Sequence, residues 1–104
     1  MKPLSFSIAS PATFRDVDSD QLISFNRDAN GLRYHWQGAG VDKSGDCHVV
    51  HENGFIYLDL YTGTIREIRY LVTILDTDKE LVTGFTLKDR PGNVKEFRAT
   101  EIVQ

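Results

Sequence analysis

Cysteine and histidine stand close together in Cys47-His48-Val49-Val50-His51. These residue types bind zinc. In an extended strand Cys47 and His48 point to opposite faces. Cys47 and His51 share a face but sit ~13 Å apart at the strand rise. No metal is expected there, and no motif calls for a cofactor. Asp16, Asp18 and Asp20 carry the spacing of a calcium loop. Gln21 stands where that loop needs glycine, and Arg27 where it needs a closing glutamate. They read as a solvated acidic turn.

The turn registers described below bring His48, Asp59, Arg66 and Asp89 onto one face of neighbouring strands. A histidine against an aspartate is held in one tautomer and poised as a base. The same face carries Tyr57 and Tyr70. His48, Asp59, Arg66, Tyr57 and Tyr70 are therefore the candidate ligand-binding set, at one end of an aromatic-lined interior. The competing structural reading is an ion-pair ladder that closes a barrel end.

Arg33-Tyr34-His35-Trp36 supplies a third candidate. Tyr34 and Trp36 belong to the core with Phe25. His35 points outward beside Asn26 and Gln37, a set able to bind a polar ligand. Gly38 to Gly45 reads as a flexible loop, a lid over a barrel mouth. No nucleophile stands in an elbow motif such as Gly-x-Ser-x-Gly, which weighs against an enzyme.

These groups need elements to hold them. Asn-Gly pairs are strong hairpin signals, because both turn positions need positive φ. Asn53-Gly54 pairs His48 with Asp59, Val50 with Tyr57 and Cys47 with Leu60. Asn30-Gly31 pairs Phe25 with Trp36 and Asp28 with Arg33. A turn at Thr62-Gly63 pairs Asp59 with Arg66. A turn within Asp76-Thr77-Asp78-Lys79 pairs Ile74 with Leu81 and Tyr70 with Phe85. Arg90-Pro91-Gly92-Asn93 closes a five-residue loop that sets Phe85 against Phe97. Ser10 and Pro11 form a helix-start signal. The expected fold is mainly β: an antiparallel meander of about eight strands, a small up-and-down barrel or strongly bent sheet, with at most one short helix near Pro11.

The 104 residues fit one domain, spanning 1–104. With 40% apolar residues and six Phe, four Tyr and one Trp, the chain can build a core. A net charge of −3 disfavours nucleic-acid and anionic-membrane binders. One cysteine forbids an internal disulfide. Residues 1–9 alternate like a strand rather than forming a signal-peptide core, and no apolar run is long enough to span a membrane. The cytoplasm is the expected location.

The strand Phe55 to Tyr61 is apolar on both faces. The reading that places Tyr57 inside leaves Val49, Ile56, Leu58 and Leu60 as an outer stripe. Such a stripe calls for a cover, most simply a second copy in a homodimer.

Leu81-Val82-Thr83-Gly84-Phe85, followed by Val94 to Ile102 with its Phe97-Arg98 pair, resembles the closing strands of WYL domains over a quarter of the chain. The Trp-Tyr-Leu core motif of that family is absent, and no helix-turn-helix precedes it. The resemblance implies an SH3-like barrel responsive to nucleic acid or a nucleotide, and it requires Arg66, Arg69, Lys88, Lys95 and Arg98 to gather in one patch.

The leading functional expectation is a barrel-like binding or interaction module, self-associating, with a small-molecule ligand. The alternatives are an isomerase- or lyase-type enzyme using His48 and Asp59 in a barrel pocket, and a nucleic-acid- or nucleotide-responsive regulatory domain.

Overall fold

Asn53 and Gly54 adopt φ of 51° and 83° and join Glu52 directly to Phe55 across the hairpin. Turns of this kind organise the whole computed structural model, which describes residues 6–9 and 11–100. Its strands are β1 (Ala12–Asp16), β2 (Leu22–Asp28), β3 (Gly31–Gly38), β4 (Val41–Glu52), β5 (Phe55–Thr62), β6 (Ile65–Asp78), β7 (Leu81–Lys88) and β8 (Val94–Ala99). Each pairs antiparallel with its sequence neighbour, and β1 closes on β8 through Phe14–Ala99 and Arg15–Arg98. The result is an eight-stranded up-and-down barrel. Closure leaves no free sheet edge, which resolves the edge problem of a long meander.

No helix occurs among the described residues, and so none long and apolar enough to cross a membrane. The expected helix near Pro11 is strand β1. Phe14 anchors it in the core and Thr13 bonds across to Ser24. Ser10, named as its cap, and Met1–Ser5 lie outside the described residues.

Eight strands enclose a space that side chains can fill. Here they fill it: Phe14, Ile23, Phe25, Leu58, Leu60, Phe85, Leu87 and Phe97 are fully buried. Phe85 stacks on Phe97 at 5.5 Å and takes Phe14 edge-on at 4.9 Å. The 6–9 segment covers one end of this core. Phe6 meets Phe85 edge-on at 5.0 Å, and Val82 N donates to Ser7 O.

The inner and outer faces of β4 and β5 are the reverse of the expected ones. Leu58 and Leu60 are 0% exposed, Cys47 is buried, and Val49 and Ile56 pack against the core. The stripe assigned to self-association is thus the barrel lining and is not available as an interface. The physical reason is burial capacity. Aliphatic Leu58 and Leu60 fill the lining without a polar group to satisfy. Tyr57, with its hydroxyl, stands outside, as does Phe55 at 55% exposed.

Two further registers, at the β2–β3 and β6–β7 hairpins, shift by whole residues. At the β2–β3 hairpin the turn is Ala29-Asn30, one residue before the expected pair, and only Gly31 takes positive φ. The Asp28 carboxylate fixes it by accepting from Asn30 N at 2.7 Å. Phe25 consequently faces Tyr34, and both keep their inward orientation. The β6–β7 turn is Lys79-Glu80, with φ of 53° and 70°, so Ile74 faces Phe85. The last hairpin sets Phe85 against Phe97 as expected.

Gly38 to Gly45 is not a loop or a lid. Ala39-Gly40 is a two-residue turn with φ of 50° and 83°, and residues from Val41 onward pair with β3. Gly45 must be glycine there, because a Cβ would run into the Tyr61 carbonyl.

Candidate functional site

The residues of the expected polar row do meet, but on the outer wall. His48 faces Asp59 across β4–β5 as the Asn53-Gly54 register requires. Asp59 alternates with inward Leu58 and Leu60, so its side chain points out. Its partner on β6 is Arg69, not Arg66. The β5–β6 turn is Gly63-Thr64, and one extra β6 residue, Glu67, is bulged out between the pairs Leu60–Ile68 and Tyr61–Arg66. A bulge re-aims every residue beyond it. Tyr70 therefore points inward while Tyr57 points outward, and the two do not share a site.

Arg69 grips Asp59 with Nε at 2.7 Å and Nη2 at 2.9 Å, and Arg66 stands 3.6 Å away. The guanidinium lies over the Tyr57 ring at 5.0 Å and also reaches Glu52. Arg69 holds the Asp59 carboxyl below its usual range by hydrogen bonding, against the cost of burial. His48 instead packs its ring on Tyr61 at 4.8 Å. Both Asp59 oxygens are taken up by Arg69, and among the described residues no hydrogen bond joins Asp59 to His48. His48 and Asp59 thus stand on the outer wall rather than in the barrel interior, and Asp59, itself 3% exposed, is held in an ion-pair staple across three strands.

Among the described residues no three His, Cys, Asp or Glu side chains converge as metal ligands. Asp16 accepts from Asp18 N at 2.9 Å and pairs with Lys95, while Asp20 pairs with Arg15, so the three aspartates diverge. Burial pushes the Cys47 thiol up to about 12, leaving it protonated and unreactive at neutral pH. The basic residues do not share one face, and Lys88 stands exposed on β7 between Leu71 and Val94. Arg66 and Arg69 lie at Asp59, Arg98 pairs with Asp76 and Glu96, and Lys95 turns inward to Asp16.

The outward set of the third candidate is partly assembled. Asn26 and His35 lie in a shallow concavity of about 460 Å³ on the outer wall, with Pro11, Ser24, Arg33 and Ser44. Its charged groups are already engaged: His35 Nε2 sits 2.8 Å from Asp42 and Arg33 2.7 Å from Asp46.

The end of the barrel opposite Phe6 carries a cluster that sequence reasoning missed. Four loops meet there, 17–21, 39–40, 63–64 and 89–93. The last inward positions of the strands are polar rather than apolar. Lys43 faces inward Trp36 across β3–β4, and Lys95 faces inward Leu87 across β7–β8. Lys43 Nζ stands 5.2 Å from the Trp36 ring centre and 3.2 Å from Glu67 Oε1, and the Thr62 hydroxyl donates to the other Glu67 oxygen at 2.8 Å. Lys95 pairs at 3.5 Å with Asp16, which is 2% exposed. Beneath this rim lie Trp36 and Tyr70, with ring centres 5.8 Å apart, and Trp36 Nε1 donates to buried Gln21 at 3.0 Å. Burial, followed by the charges of Asp89 and Glu67, pushes the Tyr70 hydroxyl up to about 12. Thr62, followed by Lys43, holds Glu67 below its usual range.

The signal for this mouth was present. An Ala39-Gly40 turn sets Trp36 directly against Lys43, and a lysine beside an inward tryptophan marks where a lining turns polar. The bulge at Glu67 left no such mark.

These features define an up-and-down β-barrel with a packed interior, one end closed by its own aromatic residue and the other ringed by inward charges. Compared with protein-family models, with curated proteins and with solved structures, the chain matches none of them.

Proposed function

We propose that this protein is a binding module whose ligand face is the polar mouth of the barrel. The observation that carries the reading is the inward register of Lys43, Lys95 and Asp16, with Glu67 reaching Lys43 from the β6 bulge, above the Trp36–Tyr70 floor. Groups that converge on one volume over aromatic rings are how small-molecule sites achieve orientation and affinity together. The mouth of a barrel is where such sites recur. The staple at Asp59 and the concavity at His35 lie on the outer wall, with their charged groups already paired across neighbouring strands.

The test is an amide-resolved NMR titration with a panel of small amines, carboxylic acids and sugars. Shifts centred on Trp36, Lys43, Glu67 and Tyr70 support the mouth. Shifts centred on Ser24, His35 and Ser44 move the site to the outer concavity and overturn the proposal. So does an absence of any saturable shift across the panel.

A further inference from the structure

Lys43 does more than rim the mouth. Its ammonium rests on an aromatic face and against a carboxylate at once, 5.2 Å from the Trp36 ring centre and 3.2 Å from Glu67. A π face for the charge and an anion to fix it are contacts that proteins use to hold organic cations. We infer that the mouth is an alkylammonium site and that Lys43 is its built-in, displaceable occupant. The inference rests on the mouth being the ligand face.

Three features support it. The carboxylate is pre-oriented without the lysine, because the Thr62 hydroxyl holds the second Glu67 oxygen. The lysine is free to leave, because its side chain is one-third exposed (32%) on a flexible stem that carries its head to water at little cost. The charge left behind suits a cation. With Lys43 swung out, Glu67 loses its cation and Asp89 also acts on the Tyr70 floor, while Asp16 stays paired with Lys95. The net charge of −3 on the whole chain also draws a cation inward.

A tethered ammonium competes with a free one at an effective concentration on the order of millimolar. The wild type therefore binds simple amines weakly, and removing the tether reveals the site. Trp36 is the sole tryptophan and lies in the floor, so its fluorescence reports occupancy directly.

The experiment titrates n-butylammonium, which matches the lysine side chain, into wild type and Lys43→Ala, with Lys43→Met as a second variant that keeps packing on Trp36. The expected result is a saturable change in Trp36 emission, at least ~10-fold tighter in Lys43→Ala than in wild type, following release of the tethered competitor. It should be lost when Glu67→Gln is added and absent with 1-butanol, which has the same chain but no charge. A Lys43→Ala response that equals the wild-type one, survives Glu67→Gln, or is matched by 1-butanol overturns the inference. If Lys43→Ala does not fold, tetramethylammonium with Lys43→Met is read by the same criteria. Failure here with mouth-centred NMR shifts from another member of the panel sinks the ammonium assignment alone. Failure of both sinks the mouth.

Discussion

Phe85→Ala is the sharpest test of the interior. Phe85 is 0% exposed and touches four other rings: Phe6, Phe14, Phe25 and Phe97. Burying an aromatic side chain removes about 150–250 Å² from water. At ~25 cal/mol/Å² the low end of that range is about 4 kcal/mol, from which the retained alanine methyl subtracts somewhat under 1. The closed wall opposes relief. Its circumference is set by eight hydrogen-bonded strands, so it cannot shrink onto the vacancy, and the cavity penalty persists. The expected loss is ~3–5 kcal/mol, a large share of the stability of a domain this size. Urea unfolding followed by Trp36 fluorescence measures it, with Phe55→Ala as the control, because Phe55 stands 55% exposed on the outer wall. The control should change stability by less than ~0.5 kcal/mol. A Phe85→Ala cost below about 1 kcal/mol, or one equal to the control, would refute the inward face assigned to β7.

Asp59→Asn should flatten the acid limb of stability. The folded-state carboxyl lies below its unfolded value, so its contribution is complete above about pH 4 and fades as pH falls through the folded pKa. Thermal melts from pH 6 to pH 2 should show a shallower decline in the variant, and parallel curves would remove the Arg69 staple as its cause. Cys47, buried with its thiol raised to about 12, should react with a thiol reagent at pH 8 at least ~100-fold more slowly in the folded protein than in urea. Comparable rates would place it on the surface.

How far the sequence was legible depended on where the turns lay. Asn53-Gly54 needs positive φ at both positions, and it delivered the β4–β5 register residue for residue. The Phe85–Phe97 pairing followed equally from the loop around Pro91-Gly92. At Ala29-Asn30 and Lys79-Glu80 the turn slid, but by steps that kept each side chain on its face. At β5–β6 the slide and the extra residue at Glu67 together moved the pairing by an odd number, and that flips a face. Tyr70 and Tyr57 were separated for this reason alone. The choice of inside over outside on β5 hung on Leu58 and Leu60 against Phe55 and Tyr57. Hydrophobicity does not decide between two apolar faces; closure of the ring around the smaller aliphatic set does. Strand β1 was hidden because Pro11 and the aspartates after it carry the marks of a helix start. The mouth was hidden because its residues come from six strands and two loops, and only the closed ring brings them together.

The seam between β1 and β8 has a consequence for how the chain is made. Phe14 cannot meet Ala99 until the last strand exists. At ~5–20 residues per second, synthesis of the roughly 80 intervening residues leaves β1 waiting on the order of 4–16 s with one flank unpaired. Throughout that interval the nascent sheet is an open ribbon with two sticky margins rather than a sealed cylinder. The ribosome-bound chain is therefore the most aggregation-exposed form this protein takes, and chaperone demand should peak just before β8 emerges.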